Sequence, residues 1–207
     1  MRSTTIILTL VFLAVSLSTS ALANPDHVLK VDPSSLGPEV SSLLYGIFFE
    51  DINHAVDGGL YAEMIRNRSF EHQDPVEGWF AVFESDCKAT FSIETDRPLN
   101  KNNTKYLSFE IQSDDKLISL SNDGYDGIPL KKGERYLFSV FVRSDEEYNG
   151  EIKVMLANAK GEPEAEKSLG TAFSSEWEKY SVELQPNESL DDGRLIITMK
   201  GSGKISF

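Results

Sequence analysis

The sequence has little cysteine and little positive charge, and each shortage argues against a class of protein. Cys87 is the one cysteine among 207 residues, so no disulfide can form within the chain and an apolar core must hold the fold. Lys and Arg number 20 against 33 Asp and Glu, which gives a formal net charge of −13. Phosphate binding needs clustered basic residues, so this balance argues against DNA or RNA as a partner.

Long apolar runs are also scarce, and the one of note lies at the N-terminus. It spans residues 6–17, follows Arg2 and precedes a small-x-small site at residues 21–23. This is the pattern of a secretory signal peptide. A helix that crosses a bilayer needs roughly 20 apolar residues, which makes an uncleaved membrane anchor the weaker alternative. We therefore expect residues 1–23 to be removed and the mature chain to be secreted, outside the cell or into the periplasm, with no membrane attachment after cleavage.

From residue 89 onward, apolar and polar residues alternate in short segments with turn residues between them. The alternation predicts, for example, that Phe138 and Val140 face one side of a strand and Leu137 and Phe141 the other. Regular short strands with such turns are typical of a β-sandwich. We predict about eight or nine strands in a jelly roll. The clearest segments are residues 89–95, 105–112, 116–121, 134–144, 151–158, 177–184 and 194–200.

The region before this alternation has a different pattern. Residues 43–52, "LLYGIFFEDI", form a continuous apolar run that ends in charge. A strand that is apolar on both sides is typical of a parallel sheet covered on both faces. After Gly58-Gly59, Leu60 and Met64 share one side at helical spacing, which predicts an amphipathic helix. Residues 43–70 are thus expected to form a strand, a loop and a helix.

Together these patterns predict a mainly β protein, in which a jelly-roll β-sandwich follows a single βα unit. The polar stretch "HQDPVEG" at residues 72–78 is the expected boundary between them. The predicted organisation is therefore a signal peptide over residues 1–23, a leader strand with one βα unit over residues 24–72, and a sandwich over residues 73–207. The single unit would be part of an incomplete (β/α)8 barrel.

The residues of this first unit carry a resemblance to a known family. "LLYGIFFEDINHAVDGGLYAEMIRNRSFE", residues 43–71, resembles the first βα unit of the α-L-arabinofuranosidases of glycoside hydrolase family 51. The shared features are a Tyr-Gly-x-Phe-x-Glu strand, a Gly-Gly turn and the "GLYAEMIRNRSFE" segment. Residues 73–207 resemble the jelly roll, similar to a carbohydrate-binding module, that some members carry after this unit. The similarity is greatest in "GYDGIPLKKGERYLFSVFVRS", residues 124–144.

The resemblance implies a hemicellulose-degrading enzyme that releases terminal arabinofuranose from arabinoxylan or arabinan. Such an enzyme uses a retaining mechanism with two Glu carboxylates about 5 Å apart. In the family these lie on later barrel strands, which would come after residue 207, so no catalytic residue is expected in this chain. The implied function is the N-terminal portion of a secreted arabinofuranosidase whose partner is an arabinose-containing plant polysaccharide. The alternative is a secreted, stand-alone carbohydrate-binding β-sandwich without catalysis.

The resemblance also implies a substrate-contacting residue. Glu50 matches the Glu of the family's first strand and would lie at its carboxyl end, where barrel active sites are built. A carboxylate there can accept hydrogen bonds from sugar hydroxyls. Asp51 and Asn53 lie next to Glu50 in the sequence and could line the same site, although a solvated loop explains these two residues equally well.

Two further features are weaker candidates. Trp79 and Tyr125 lie in loop-like sequence and could stack on a glycan, and core packing is at least as good an explanation for each. Residues 122–127, "NDGYDG", offer oxygen ligands for a structural Ca²⁺, although a tight turn between strands explains them better. We expect no other metal site and no cofactor, because the three His residues have no metal-binding spacing.

Overall fold

The computed structural model describes residues 32–35, 37, 39, 41, 50, 56, 59–144 and 148–207, and the fold lies within the unit Phe49–Phe207. Within these ranges no helix is long and apolar enough to cross a membrane. The described residues form eleven β-strands. In chain order they are β1 (Trp79–Phe83), β2 (Ala89–Glu94), β3 (Tyr106–Ile111), β4 (Leu117–Asn122), β5 (Ile128–Leu130), β6 (Tyr136–Ser144), β7 (Glu151–Ala157), β8 (Pro163–Gly170), β9 (Glu178–Leu184), β10 (Leu190–Lys200) and β11 (Gly203–Ser206).

The strands form two sheets. The first sheet has the order β1-β4-β10-β7-β8, with β5 paired to β10, and the second has the order β2-β3-β11-β6-β9. The pairings between these named strands are all antiparallel. The chain crosses repeatedly from one sheet to the other, as it does in a jelly roll. The predicted β-sandwich is therefore confirmed.

The apolar core lies between the inward faces of the two sheets. Ile118, Val154 and Met199 of the first sheet are fully buried, as are Val142 and Ile205 of the second. Successive strand residues point to opposite faces, so the alternation in the sequence delivers these side chains to one side. Full burial of each such side chain stabilises the fold by about 1.5–3 kcal/mol. This burial holds together a chain whose one cysteine is a free thiol.

The last two strands tie the sheets together, because β10 and β11 occupy interior positions of different sheets. β10 lies between β4 and β7, and β11 lies between β3 and β6. The turn between them contains Gly201, whose φ of 129° is in the region that favours glycine. A Cβ at Gly201 would clash with the backbone of Gly150. The two backbones therefore touch where the chain passes between the sheets, and no side chain fits there.

The seven predicted segments correspond to β2, β3, β4, β6, β7, β9 and β10. The structure adds β1, β5, β8 and β11, so it has more strands than the eight or nine expected. β5 has three residues, which is too short for an alternation to be recognised. β8 reads "PEAEKSLG" and lies at the edge of its sheet, where a largely polar and exposed strand is tolerated.

The segment expected to form a helix after Gly59 has another conformation. Residues 59–70 form turns, while the strand expected over residues 43–49 lies outside the described residues. Asn67 and Phe70 have φ values of 51° and 58°, which a right-handed helix does not allow. Ile65 and Phe70 pack against the core of the sandwich. Burial against the sandwich therefore outweighs the helical pattern of the sequence here.

One buried amide fastens this turn segment to the first sheet. Asn122, at the end of β4, is 0% exposed. Its Oδ1 accepts hydrogen bonds from the backbone N–H groups of Arg66, at 3.2 Å, and Gly124, at 2.9 Å. Its Nδ2 donates to the carbonyl oxygen of Arg66 at 2.9 Å. A single side chain thus satisfies three backbone groups that no strand ladder reaches.

Replacing this amide should destabilise the fold measurably. Asn122→Ala would leave buried backbone donors and an acceptor without partners, so the free energy of unfolding should fall by about 2–4 kcal/mol. Urea denaturation followed by tryptophan fluorescence measures this change. Asn102→Ala, at an exposed position, is the matched control and should change the free energy of unfolding little. Equal midpoints for the two variants would contradict the anchoring role.

Candidate functional site

The outer face of the second sheet is the candidate site. On this sheet the inward side chains fill the core, and the alternate side chains point away from it. We call this surface the outer face. It is formed by strand residues Glu94, Tyr106, Ser108, Leu137, Ser139, Phe141, Arg143, Lys179, Ser181, Lys204 and Ser206, joined by Trp177 just before β9.

Three of these side chains form a stack. The guanidinium carbon of Arg143 lies 5.3 Å from the ring centroid of Tyr106 and 5.3 Å from that of Trp177. The two rings meet edge to face, with centroids 5.3 Å apart. The indole Nε1 of Trp177 donates a hydrogen bond to the carbonyl oxygen of Arg97 at 2.8 Å. Both rings and the cation are therefore held in a defined geometry, since contacts of this kind each contribute roughly 0.5–2 kcal/mol.

The hydroxyl of Tyr106 joins this stack to a pair of carboxylates. It is hydrogen-bonded to Glu94 at 3.0 Å and to Asp96, and it accepts from Nη2 of Arg143 at 3.2 Å. Burial, followed by the hydrogen bonds to the two carboxylates, raises the pKa of Tyr106 above its ordinary value of 10.0. The hydroxyl therefore stays protonated at physiological pH and remains able to donate to a carboxylate.

The two carboxylates stay ionised. The hydrogen bond from Tyr106 lowers the pKa of Asp96. Desolvation opposes ionisation of Glu94, but the hydrogen bond from Lys204 and the one from Tyr106 together outweigh it, so the pKa of Glu94 is also lowered. Nζ of Lys204 lies 2.9 Å from Glu94 Oε1. The centre of the outer face thus carries fixed charges of both signs beside aromatic rings.

Apolar side chains on the same face are exposed to solvent. Leu137 is 75% exposed and Phe141 is 40% exposed. Their cross-strand neighbours on β9 are Glu183 and Lys179, and Ser139 lies between them on β6. An accessible ring flanked by hydroxyl, ammonium and carboxylate groups suits a ligand with both apolar C–H surfaces and hydroxyl groups.

The acidic residues near the turn segment are occupied with structural contacts. Oε1 of Glu63 accepts from the backbone N–H of Ile65 at 2.9 Å. Glu71 accepts backbone hydrogen bonds from the loop that precedes β3. Glu77 forms an ion pair with Arg66. Each of these three carboxylates therefore already has a backbone hydrogen bond or an ion pair with another part of the chain.

The segment considered for Ca²⁺ forms a tight turn. The N–H of Gly127 donates to the carbonyl oxygen of Asp123 at 2.9 Å, and a bridge joins Gly124 to Gly127. The carboxylate of Asp123 lies 3.4 Å from Nε of Arg194. Across the described ranges, there is no group of three or more His, Cys, Asp or Glu side chains arranged to hold a metal ion.

Comparison with known families identifies the sandwich. The family described as "Carbohydrate binding domain" matches residues 62–203, which is more than half of the chain. The chain belongs to this family. The match includes all eleven strands except the last residues of β11, so the fold and the family assignment describe the same part of the molecule.

The chain is also similar to parts of larger proteins. An extracellular exo-α-L-arabinofuranosidase of Streptomyces chartreusis is 33% identical over 191 residues, covering 88% of this chain and 21% of that protein. A probable α-L-arabinofuranosidase A of Aspergillus terreus is 33% identical, covering 92% and 30%. α-L-Arabinofuranosidase 1 of Arabidopsis thaliana is 30% identical, covering 87% and 28%. The chain spans less than a third of the length of these relatives.

Solved structures agree with this similarity. An arabinose-bound family 51 α-L-arabinofuranosidase matches with a TM-score of 0.66 and 25% identity, covering 76% of this chain and 27% of that one. The expected resemblance to family 51 arabinofuranosidases is thereby confirmed. The enzymatically active domain of tailspike protein 4 of bacteriophage CBA120 matches with a TM-score of 0.53 at 9% identity, which shows a shared fold alone.

Of the residues selected from the sequence, the three that the structure describes, Glu50, Trp79 and Tyr125, are not among the side chains of the outer face. Glu50 is exposed and lies in none of the eleven strands, while Asp51 and Asn53 are outside the described residues. Trp79 begins β1, and its indole Nε1 donates to the carbonyl oxygen of Asn67 at 3.0 Å. Tyr125 lies in the turn before β5 and is partly buried. The sugar-contacting roles of all five selected residues stay predictions.

Sequence reasoning did not select the stack. Tyr106 lies near the start of one predicted strand, Arg143 lies near the end of another, and Trp177 starts a third, where packing in the core is the commoner role of a Trp. The one signal in the sequence was Arg143 itself, which the alternation of residues 134–144 placed on the side opposite to Val140 and Val142. Nothing in the sequence indicated that three strands distant in the chain would bring these three side chains together.

The carboxylate pair predicts a specific dependence of stability on pH. The lowered pKa values of Asp96 and Glu94 stabilise the fold above the unfolded values of about 4. This stabilisation is lost as the pH falls through the folded values. Tyr106→Phe removes a hydrogen bond that lowers both pKa values, so wild type and variant should differ more in Tm at pH 7 than at pH 3.

Thermal unfolding between pH 7 and pH 3 measures this difference. Tyr136→Phe is the matched control, because the Tyr136 hydroxyl bonds to the backbone groups of Lys131, at 2.8 Å, and Pro129, at 3.3 Å. Its effect on Tm should not depend on pH. A Tyr106→Phe effect that is equally constant would show that the carboxylates do not depend on this hydroxyl.

Proposed function

We propose that the outer face of the second sheet binds a neutral, arabinose-containing plant polysaccharide. The observation that supports this most strongly is the fixed stack of Tyr106, Arg143 and Trp177 beside the exposed ring of Phe141. The chain belongs to a family of carbohydrate-binding domains, and this membership favours a sugar as the ligand of such a surface.

The chemistry of the face matches that of a pyranose or furanose chain. The C–H groups of a sugar ring pack on aromatic faces, for which Phe141 and Trp177 are available. Sugar hydroxyls donate to carboxylates and accept from ammonium groups, which Asp96 and Lys179 can supply. A neutral polysaccharide also carries no charge to be repelled by a chain of net charge −13.

The same proposal extends to the larger enzyme. We infer that this chain is the N-terminal portion of a secreted α-L-arabinofuranosidase that releases terminal arabinofuranose from arabinoxylan or arabinan by a retaining mechanism. Its catalytic Glu pair is not in this chain. Similarity to α-L-arabinofuranosidases over about nine-tenths of the chain supports this inference. The apolar run at residues 6–17 and the word "extracellular" in the name of the Streptomyces relative support secretion.

Substitution on the outer face tests the binding proposal. Phe141→Ala and Trp177→Ala should each weaken retardation of the chain in native gels containing arabinoxylan or arabinan, by roughly 1–3 kcal/mol in binding free energy. Phe80→Ala is the matched control. Phe80 is 57% exposed and lies on the outward side of β1 in the first sheet, so its loss should leave mobility unchanged.

The outcomes separate the alternatives. Unchanged mobility of the wild-type chain on arabinoxylan, arabinan, xylan and cellulose would reject glycan binding by the sandwich. Loss of retardation in Phe80→Ala but not in Phe141→Ala would move the site to the first sheet. Strong retardation by the chain alone would also support the alternative of a carbohydrate-binding protein that works without catalysis.

Glu50 generates a separate prediction for a complete arabinofuranosidase that contains this chain. We propose that Glu50 accepts hydrogen bonds from the bound arabinofuranose, with Asp51 and Asn53 lining the same site. Glu50→Gln keeps the shape but weakens these bonds, so kcat/KM should fall about a hundredfold or more. Tm should change little because Glu50 is exposed. Hydrolysis of an aryl arabinofuranoside provides the assay, with Glu39→Gln at another exposed position as the control. A rate near that of the wild type would remove the proposed role.

A further inference from the structure

A cavity of about 440 Å³ lies between β6 and the turn segment at residues 59–70. β6 contributes Phe138 and Val140 to its lining, and the turn segment contributes Ile65. Small-molecule sites in proteins have volumes of about 300–1,000 Å³. The cavity is therefore large enough for a whole ring, and a methyl-sized group would leave most of it empty.

The floor of the cavity is apolar. Leu120 and Ile197 of the first sheet and Phe70 of the turn segment line it, with 2%, 1% and 5% of their surface exposed. The ring of Trp79 also lines the cavity, with its centroid 5.6 Å from that of Phe70. Its Nε1 already donates to the carbonyl oxygen of Asn67. These four side chains thus offer a ligand carbon surface and aromatic rings, and no unused donor.

The mouth of the cavity opens onto the outer face of the second sheet. Phe141, Trp177 and Lys179 of that face also line the cavity, and Phe141 is 40% exposed. Tyr61, at 53% exposed, lines it from the turn segment, and the guanidinium carbon of Arg68 lies 5.0 Å from its ring centroid. A group attached to a ligand on the outer face can therefore enter the cavity without a change of fold.

A sugar unit suits the mouth of this cavity but not its floor. Its hydroxyl groups would lose their hydrogen bonds to water, and Leu120, Ile197 and Phe70 have no polar side-chain atom to replace them. An aromatic group carries no such cost along its ring. It also gains from the rings that line the cavity, since aromatic pairs attract each other beyond the burial of their area.

We propose that the cavity binds an aromatic acyl group esterified to a hydroxyl of the polysaccharide on the outer face. The aromatic ring would occupy the apolar floor. The ester would lie at the mouth, where the ammonium group of Lys179 and the hydroxyl of Ser139, both exposed, are available to donate to its carbonyl oxygen. This inference rests on the proposed binding of a polysaccharide by the outer face, and it adds the kind of substituent that the site recognises.

Two matched oligosaccharides test the inference. One is an arabinoxylan oligosaccharide that carries a single feruloyl ester, and the other is the same molecule after mild alkaline hydrolysis, which removes the acyl group and keeps the sugars. Burial of the aromatic ring should make the Kd of the esterified form at least about tenfold lower in isothermal titration calorimetry. In NMR spectra of the methyl groups, Val140, Leu120 and Ile197 should shift with the esterified form only.

A variant that fills the cavity locates the effect. Val140→Phe places a ring in the cavity, so it should remove the difference in Kd between the two oligosaccharides and leave binding of the hydrolysed form unchanged. Val82→Phe is the matched control, because Val82 is 63% exposed on the outward side of β1, and it should preserve the difference. If Val140→Phe does not unfold cooperatively, Ile65→Phe fills the same cavity from the turn segment.

The outcomes separate this inference from the proposed function. Equal Kd values for the two oligosaccharides, or equal methyl shifts with both, would overturn the inference and leave polysaccharide binding in place. Binding of the esterified form alone, lost in Val140→Phe, would support the inference and contradict recognition of the sugar chain by the outer face. Binding of neither form would reject both.

Discussion

The passage of the chain from β10 to β11 is the constraint on which the rest of the sandwich depends. These strands are consecutive in sequence, yet each lies inside a different sheet. The turn between them needs backbone contact between Gly201 and Gly150, where a Cβ would clash. Because the chain crosses from one sheet to the other at this turn, the inward faces of the two sheets pack against each other around one apolar core. With no disulfide available, burial of this core is the main source of stability.

The outer face follows from the same arrangement. β11 places Ser206 between Ser108 of β3 and Arg143 of β6. This short central strand brings β3 and β6 close enough for Arg143 to stack on Tyr106, and β9 adds Trp177 at the end of the sheet. Arg143 is buried, its Nη2 donates to the Tyr106 hydroxyl, and its Nε has no hydrogen-bond partner among the described residues, so the contacts with the two rings offset only part of the cost of desolvating the guanidinium. Its rigid placement is what makes the surface suitable for recognition and not merely polar.

The turn segment at residues 59–70 shows that tertiary contacts can outweigh a local preference for helix. Its sequence has helical spacing, but Ile65 and Phe70 reach the core of the sandwich through turns. Asn122 then satisfies the backbone groups that a helix would otherwise have paired. Propensity differences of less than about 1 kcal/mol per residue are outweighed by burial of an aromatic ring and by the two hydrogen bonds that Asn122 makes with the backbone of Arg66.

The sequence by itself determined the fold class, the family resemblance and which side of each long strand faces the core. Apolar and polar residues alternate along these strands, and the apolar side is the buried one. The sequence missed β1, β5 and β8, since none of them shows a clear alternation of apolar and polar residues: β1 is apolar throughout, β5 has three residues and β8 is largely polar. The grouping of Tyr106, Arg143 and Trp177 was decided only by the tertiary structure. It depends on which strands become neighbours, and strand order is set by pairing between residues far apart in the chain, which no local pattern encodes.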